Sequence, residues 1–317
     1  MGGAGGRALG LGLMALAALA ACQTAPPAPP PAVEIAPPPE PLPLPVPEIS
    51  AQSRALRVYY ARMQAELLAQ GRLRGDSAPT DAAFDAATLA RNFVRIALYS
   101  EYVERGGTLQ PEAQLSRLTR WEQPVRIAAE FGARVEPDQA TRDRASLAAY
   151  AGRLERASGH PIRMVESGAN FHVLFLTEDD RIGIEPRLRE LVPGIEGATL
   201  RAIMEMPRST LCLVVGFSQG GGYSYDRAVA IIRAEHPDLM RLACIHEEVA
   251  QGLGLVNDSP EARPTIFNDN EEFGLLTRHD ELLLKILYDP RLRAGMPAAE
   301  AAPIARQIAE ELLAVPS

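Results

Sequence analysis

A proline-rich stretch near the N-terminus limits how much of this chain can enter a folded domain. Twelve of the 27 prolines in the 317-residue chain lie within residues 26–47. Proline has no backbone N–H and a fixed φ, so this segment cannot build helix or sheet and favours polyproline II. At about 3.1 Å per residue, some 25 residues would reach roughly 75 Å. Residues 22–49 are therefore predicted to be a disordered tether.

The segment before the tether has the layout of a secretory signal. A single Arg is followed by an apolar run over residues 9–21 and then by small residues. The run is shorter than the about 20 residues that a membrane-spanning helix needs. The letters LAAC at 19–22 resemble the bacterial lipoprotein cleavage box. The resemblance implies a signal peptide over 1–21 and a Cys22 that carries acyl chains such as palmitate. With Gln23 next, it also implies a periplasm-facing anchor in the outer membrane of the cell envelope.

Composition and charge narrow the class of partner. The apolar fraction is 47%, which is ordinary for a globular protein. The net charge is −8 at pH 7, and the sequence contains no run of Lys and Arg that would reverse it locally. A phosphate backbone would be repelled by such a chain, so no nucleic-acid partner is expected.

The cysteines predict one disulfide. If Cys22 carries the lipid, Cys212 and Cys244 are left as a pair, and in an oxidising compartment such a pair is disulfide-bonded by default. The bridge would join the strand TLCLVVGF to a C-terminal helix. A sharper alternative is a free catalytic thiol at Cys244 activated by His246, which requires Cys212 to be unpaired.

Hydrophobic periodicity predicts an α+β fold. Two helices are predicted early, the first ending at Gly71 and the second running from Thr80 to Gly106-Gly107. Strands are then predicted in RWEQPVRIAAEFG, HPIRMVES, ANFHVLFLTED, STLCLVVGF and DRAVAIIRAE, with helices between and after them. This order favours α+β over a doubly wound parallel sheet. The predicted division is a signal peptide at 1–21, the tether at 22–49, a helical region at 50–118, an α+β domain at 119–300 and a C-terminal helix at 301–317.

One predicted helix carries regularly spaced acidic and amide residues, in CIHEEVAQGLGLVND at 244–258. In helical register, Glu247 and Gln251 share a face and Glu248 lies beside them. The spacing resembles H-E-x-x-H-x-x-G-x-x-H of the metzincin zinc proteases, whose histidines bind zinc and whose Glu is the base.

The metzincin resemblance assigns a role to each position. It implies that Glu247 and Gln251 replace the two helical zinc ligands and that Asn257 replaces the third. Glu248 would be the candidate general base, and Gly254 the turn glycine. The strand RW..PV, the segment AVAIIRAE as edge strand and LTRHDELLLKILY as closing helix extend the resemblance. They imply a zincin-like domain with a mixed twisted sheet, preceded by a small helical region.

The chain is also similar to an uncharacterised family of proteobacterial envelope proteins that is known only as a domain of unknown function. The segments that carry this similarity are NFVRIALYSEY, RWEQPVRI, CIHEEVAQGLGLVND and LLLKILYDPRLRAGM.

The substituted ligands change the expected chemistry. Zinc favours imidazole and thiolate, whereas Glu, Gln and Asn offer oxygen atoms. No cofactor is therefore expected. If a divalent cation binds, Ca²⁺ or Mg²⁺ suits the set better than Zn²⁺, with Asp258 or Asp269 helping. Without an electrophile, Glu248 has only half of a hydrolytic mechanism.

Three functions follow from these patterns. The first is an anchored lipoprotein whose degenerate metzincin-like domain, a pseudopeptidase, binds a periplasmic protein, a peptide or a component of peptidoglycan. The second is an atypical metal-dependent hydrolase of the peptidase type, with Glu248 as general base. The third is a structural envelope lipoprotein that acts through the helices of 50–118. The plain alternative, in which Glu247, Glu248 and Gln251 form a solvated helix face, stays open.

Overall fold

The computed structural model covers most of the chain after the tether. The described residues are Gly2, 46–105, 108–268 and 270–314. Apart from Gly2, the predicted signal peptide lies outside them, as do Cys22 and most of the tether. The residues from 45 onwards belong to one compact unit. No helix in the described residues is long and apolar enough to cross a membrane.

Helices and strands alternate irregularly along the chain. The helices are α1 (Ala51–Ala69), α2 (Ala86–Ala97), α3 (Pro137–Ser158), α4 (Glu178–Ile182), α5 (Glu185–Leu191), α6 (Gly197–Met204), α7 (Asp238–Gln251), α8 (Arg278–Leu287) and α9 (Ala298–Ala314). The strands are β1 (Tyr99–Arg105), β2 (Thr108–Leu115), β3 (Arg120–Trp121), β4 (Val125–Phe131), β5 (Ile162–Met164), β6 (Phe171–Leu176), β7 (Cys212–Phe217), β8 (Ser224–Tyr225) and β9 (Arg227–Arg233).

The centre of the fold is a five-stranded mixed sheet in the order β5-β4-β6-β9-β7. The first four of these strands are parallel, and β7 runs antiparallel to β9 at one edge. The register pairs Phe171 with Ala228 in the parallel part and Val214 with Ala230 at the edge. Five of the six residues of β6 are apolar and buried, with His172 as the exception, as expected where helices cover both faces of a sheet. The predicted α+β class is confirmed.

The edge of the sheet lies one strand further out than the sequence implied. The segment AVAIIRAE was expected to form the edge strand. The strand that contains it, β9, pairs with β6 on one side and with β7 on the other. Residues 228–233 are all buried, which suits a central strand. The expectation was therefore wrong, and β7 is the edge strand on this side of the sheet.

Part of the region predicted to be helical is a β-hairpin. α1 and α2 agree with the prediction, but α2 ends at Ala97 and not at Gly106-Gly107. The following residues form β1 and β2, which pair antiparallel. The letters YSEYV hold aromatic and β-branched residues, which favour strands, and Gly-Gly between two such runs is a hairpin signal. The helix prediction for 99–105 is wrong for this reason.

One hydrophobic core joins the helical region, the sheet and the C-terminal helix. It contains Phe93 of α2, Leu147 of α3, Phe171 of β6, Val249 of α7 and Ile308 of α9. The predicted boundaries at 118 and 300 therefore do not separate independent cores.

The opposite face of the sheet packs on α5 and α6. Along β9, Ala230 and Ile232 face the main core, whereas Val229 and Ile231 belong to a second cluster that includes Ile203 of α6. This alternation is the two-residue period of a strand. The sheet is thus held between two layers of helices, and only its edge at β7 borders the site described next.

Candidate functional site

α7 carries the motif residues and is fixed firmly in the fold. Its buried side chains Ile245 and Val249 belong to the main core. Just beyond the helix, the indole N–H of Trp121 donates to the carbonyl oxygen of Gly252 at 2.8 Å. Gly254 then turns the chain with a φ of 124°, a conformation that glycine adopts readily. The predicted helix is confirmed, and the motif side chains have a defined direction.

A groove of about 270 Å³ runs between α7 and the edge strand β7. It is lined by Ser209, Thr210, Leu211, Cys212, Leu213, Val214, Glu247, Glu248, Gln251, Asp258 and Glu271. We call it the β7–α7 groove. The acidic-amide face of the helix therefore borders a groove beside an edge strand and is not an open solvated face. Glu248 and Gln251 are buried in its wall.

The β7–α7 groove is strongly acidic. Four of its lining residues are carboxylates, two from α7 and two, Asp258 and Glu271, from the loop that follows. None of these lining residues is basic. The Nε2 of Gln251 donates to Oδ1 of Asp258 at 3.0 Å, which orients the amide. Because like charges repel more strongly away from bulk water, the groove favours a cation or a cationic side chain.

Asn257 does not reach the groove, although the sequence placed it as a third oxygen ligand. Its Nδ2 donates to the carbonyl oxygen of Arg95 at 2.8 Å. Its backbone N–H donates to the carbonyl oxygen of Ile96 at 3.1 Å. These carbonyls lie at the end of α2, where helical partners run out. Asn257 thus secures the loop to α2. The expected set of Glu247, Gln251 and Asn257 is not brought together, and Asp258 is the loop residue in the groove.

The donors in the groove do not fit a zinc site. Cys212, Glu247 and Glu248 each contribute one potential ligand atom, and these three atoms lie within 4.8 Å of one another. Cys212 is bonded to Cys244, with their Cα atoms 5.9 Å apart, so its sulfur is not a thiolate and cannot serve as a soft ligand. The carboxylate oxygens that remain suit Ca²⁺ or Mg²⁺.

The disulfide joins the two walls of the groove, because Cys212 begins β7 and Cys244 lies within α7. The predicted bridge is confirmed. The alternative of a free Cys244 thiol activated by His246 is therefore wrong. Nδ1 of His246 instead accepts a hydrogen bond from the backbone N–H of Leu276 at 2.9 Å, and its ring stacks on Tyr150.

The other histidines in the described residues also lie outside the groove lining. His172 is bonded through Nδ1 to a carboxylate oxygen of Glu130 at 2.7 Å. His236 is buried beside Tyr60, and the rings of the two residues make an edge-to-face contact. These histidines therefore do not supply the imidazole ligands that a zinc site would need.

Two buried histidines predict acid sensitivity. Burial, together with the charges of Arg233 and Arg241, lowers the pKa of His236 to about 3, and burial next to Arg153 does the same for the pKa of His246. Both folded pKa values lie below the usual 6.5, so the unfolded state binds more protons and stability falls as the pH drops from 6.5 towards 3. At pH 5 the expected loss is about 2 kcal/mol per histidine relative to pH 7.

Urea unfolding at pH 7 and pH 5 measures this loss. The variant His246→Asn keeps an acceptor for the Leu276 N–H but does not titrate, so it should lose about 2 kcal/mol less stability than the wild type between the two pH values. An unchanged pH dependence in the variant would contradict the assignment of His246.

The sequence did not identify two parts of the groove. Glu271 arrives from a loop twenty residues beyond α7, and it has a φ of 56°, unusual for a residue other than glycine. The letters NDNEEFG, rich in turn-forming residues, were the available signal. The backbone of β7 was predicted as a strand but not as a wall of the site. Asp269, named with Asp258 as a helper, lies outside the described residues.

Comparison with known families bears on the same region. A model of the family described as "Protein of unknown function (DUF2927)" matches residues 86–307. The chain is a member of the DUF2927 family. The DUF2927 match begins with α2 and ends within α9, so it includes the whole sheet and every residue that lines the β7–α7 groove. It confirms the resemblance to an uncharacterised family. No curated protein and no solved structure matches the chain.

Proposed function

We propose that the chain is an anchored envelope lipoprotein that binds an extended, basic peptide segment in the β7–α7 groove. The segment would belong to a periplasmic protein or to a peptide of the cell wall. The signal-like N-terminus, Cys22 and the proline-rich tether support the anchoring part of this proposal. A tether of roughly 75 Å would let the groove search for partners at a distance from the bilayer.

The observation that carries the proposal is the unpaired edge of β7 beside a row of carboxylates. β7 pairs with β9, and no second strand pairs with it in the described residues. An edge strand presents N–H and C=O groups that an added peptide strand can pair with. The backbone would therefore supply affinity, and the pockets alongside would select alternate side chains.

The charge of the groove sets the chemistry of that peptide. Glu247 and Glu248 on one wall face a groove that Asp258 and Glu271 also line. A Lys or Arg side chain entering there meets several carboxylates. Opposite charges across an interface speed association and reject acidic partners. A basic peptide is accordingly the favoured ligand class.

The metzincin resemblance supports this assignment of the groove. The mixed sheet with an antiparallel edge strand, followed by a helix with the E-E-x-x-Q spacing, agrees with a peptide cleft from which the zinc ligands have been lost. The loss of imidazole and thiolate donors favours binding over catalysis.

Binding to a capped heptapeptide of alternating Val and Lys tests the proposal by calorimetry. The double variant Glu247→Gln and Glu271→Gln should weaken this binding by about tenfold, since it removes two opposite charges from the contact. The matched variant Glu66→Gln and Glu310→Gln removes two exposed carboxylates elsewhere and should change it by less than about twofold. Equal losses in both variants, or equal binding of a Val-Glu peptide, would contradict the proposal.

A metal-dependent hydrolase is the second candidate, because Glu247, Glu248 and Asp258 gather carboxylate oxygens in one groove. Ca²⁺ or Mg²⁺ held there would polarise a carbonyl oxygen, and Glu248 would accept a proton from water. Mass spectrometry of the same peptide, incubated with each ion, separates the two functions. Cleavage that requires an ion and is lost in Glu248→Gln would replace the binding proposal with this one.

A further inference from the structure

A second cavity, of about 570 Å³, lies between α2 and α9 and shares no lining residue with the β7–α7 groove. Arg91 and Arg95 enter it from α2, and Arg306 enters it from α9. We call it the arginine pocket. The two helices bring together arginines that are more than two hundred residues apart in the sequence, which is why the sequence alone contains no basic cluster here.

The arginines of the pocket have few acidic partners among the described side chains. Arg91 donates from Nη2 to the hydroxyl of Thr88, one turn earlier on its own helix, at 2.9 Å. Arg95 forms an ion pair with Glu261, a carboxylate whose side chain is 68% exposed. Arg306 forms no ion pair with any residue that the structure describes. Among the side chains that the structure describes, these three permanent positive charges thus have one ion-pair partner, a solvent-screened carboxylate, in a chain whose net charge is −8.

The rest of the pocket is largely apolar. Val94 on α2 and Ala302 and Pro303 on α9 line it between the guanidinium groups. Guanidinium groups match the oxygens of phosphate through paired N–H donors. An apolar surface next to them favours a ligand that carries hydrocarbon beside its anionic group.

We propose that the arginine pocket binds the phosphate group of an amphiphilic phosphate ester. The phosphate lies between Arg91 and Arg306, with Arg95 within reach, and the hydrocarbon next to the ester lies against Val94 and Pro303. This chemistry has two sources, a phospholipid headgroup and a soluble organic phosphate. The site is separate from the peptide groove and does not depend on its function.

The test uses the full chain with Cys22→Ser, so that no acyl anchor contributes to binding. Its probes are phenyl phosphate in solution, followed by calorimetry, and vesicles of phosphatidylglycerol in phosphatidylcholine, followed by co-sedimentation. The double variant Arg91→Gln and Arg306→Gln removes two pocket charges at exposed positions. The matched variant Arg62→Gln and Arg72→Gln removes two exposed charges at α1 and after it. Thermal unfolding of both variants checks that each one folds.

The pocket variant should weaken binding of at least one probe by about tenfold or more, and the matched variant should change it by less than about threefold. An effect confined to the vesicles identifies a lipid headgroup, and an effect on phenyl phosphate identifies a soluble ester. Equal losses in the two variants would show that only overall charge matters. That result, or no binding of either probe to the parent chain, overturns the proposal.

Discussion

Removing the disulfide should lower the free energy of unfolding by about 4 kcal/mol. The bridge spans 32 residues, and the chain entropy released by opening a loop of this size corresponds to roughly that value. Both cysteines are buried, and the double variant Cys212→Ala and Cys244→Ala leaves no thiol at either position. Urea unfolding of the oxidised chain and of the double variant measures the difference.

Either single substitution breaks the same crosslink, so each one should cost nearly as much as the pair. Fully additive losses would instead show that the two side chains act through packing and not through the bridge. Oxidised and reduced chains that unfold at the same urea concentration would contradict the prediction. Since the bridge joins β7 to α7, the double variant should also weaken peptide binding in the β7–α7 groove.

Gly254→Ala should destabilise the fold by more than about 3 kcal/mol. The residue has a φ of 124°, which disfavours a side chain, and an added Cβ would lie 2.2 Å from the carbonyl oxygen of Thr119. Backbone strain and a backbone clash therefore act together. Gly254 makes the turn that leads from α7 into the loop carrying Asp258. The measurement is again urea unfolding.

Gly159→Ala is the matched control for this prediction. Gly159 has a φ of 70°, but nothing lies within 4 Å of an added Cβ. The control carries the strain without the clash and should cost only about 1 kcal/mol. If the two variants lose similar free energy of unfolding, the close approach of Gly254 to Thr119 does not contribute to the loss, and the prediction is contradicted.

Much of the fold was predictable because the signals are local. α7, α3 and the apolar-rich strands β4, β6 and β7 follow from periodicity. The disulfide followed from counting cysteines under the assumption of an oxidising compartment. The central position of β9 was not predictable, because strand order depends on which strands pair and not on the residues of one strand. β1 was missed because the spacing of its apolar residues, Tyr99, Tyr102 and Val103, also suits a continued helix.

The site was predictable only in part, for a related reason. Glu247, Glu248 and Gln251 share a face by helical geometry alone, so the sequence identifies them. Asn257 follows the Gly254 turn, beyond which helical spacing no longer gives directions. Its amide is taken by a carbonyl of α2, while Asp258 reaches the groove. Contacts between distant segments, such as the arginine pocket, leave no pattern in the sequence.

Hydrogen exchange along β7 tests most directly whether the β7–α7 groove receives a peptide strand. Alternate backbone amides within residues 213–216 point away from β9 and should exchange with solvent in the free chain. Saturating Val-Lys heptapeptide should slow their exchange markedly, and the variant Glu247→Gln with Glu271→Gln should require more peptide for the same protection. Tight peptide binding with no change at these amides would place the ligand elsewhere and contradict the account.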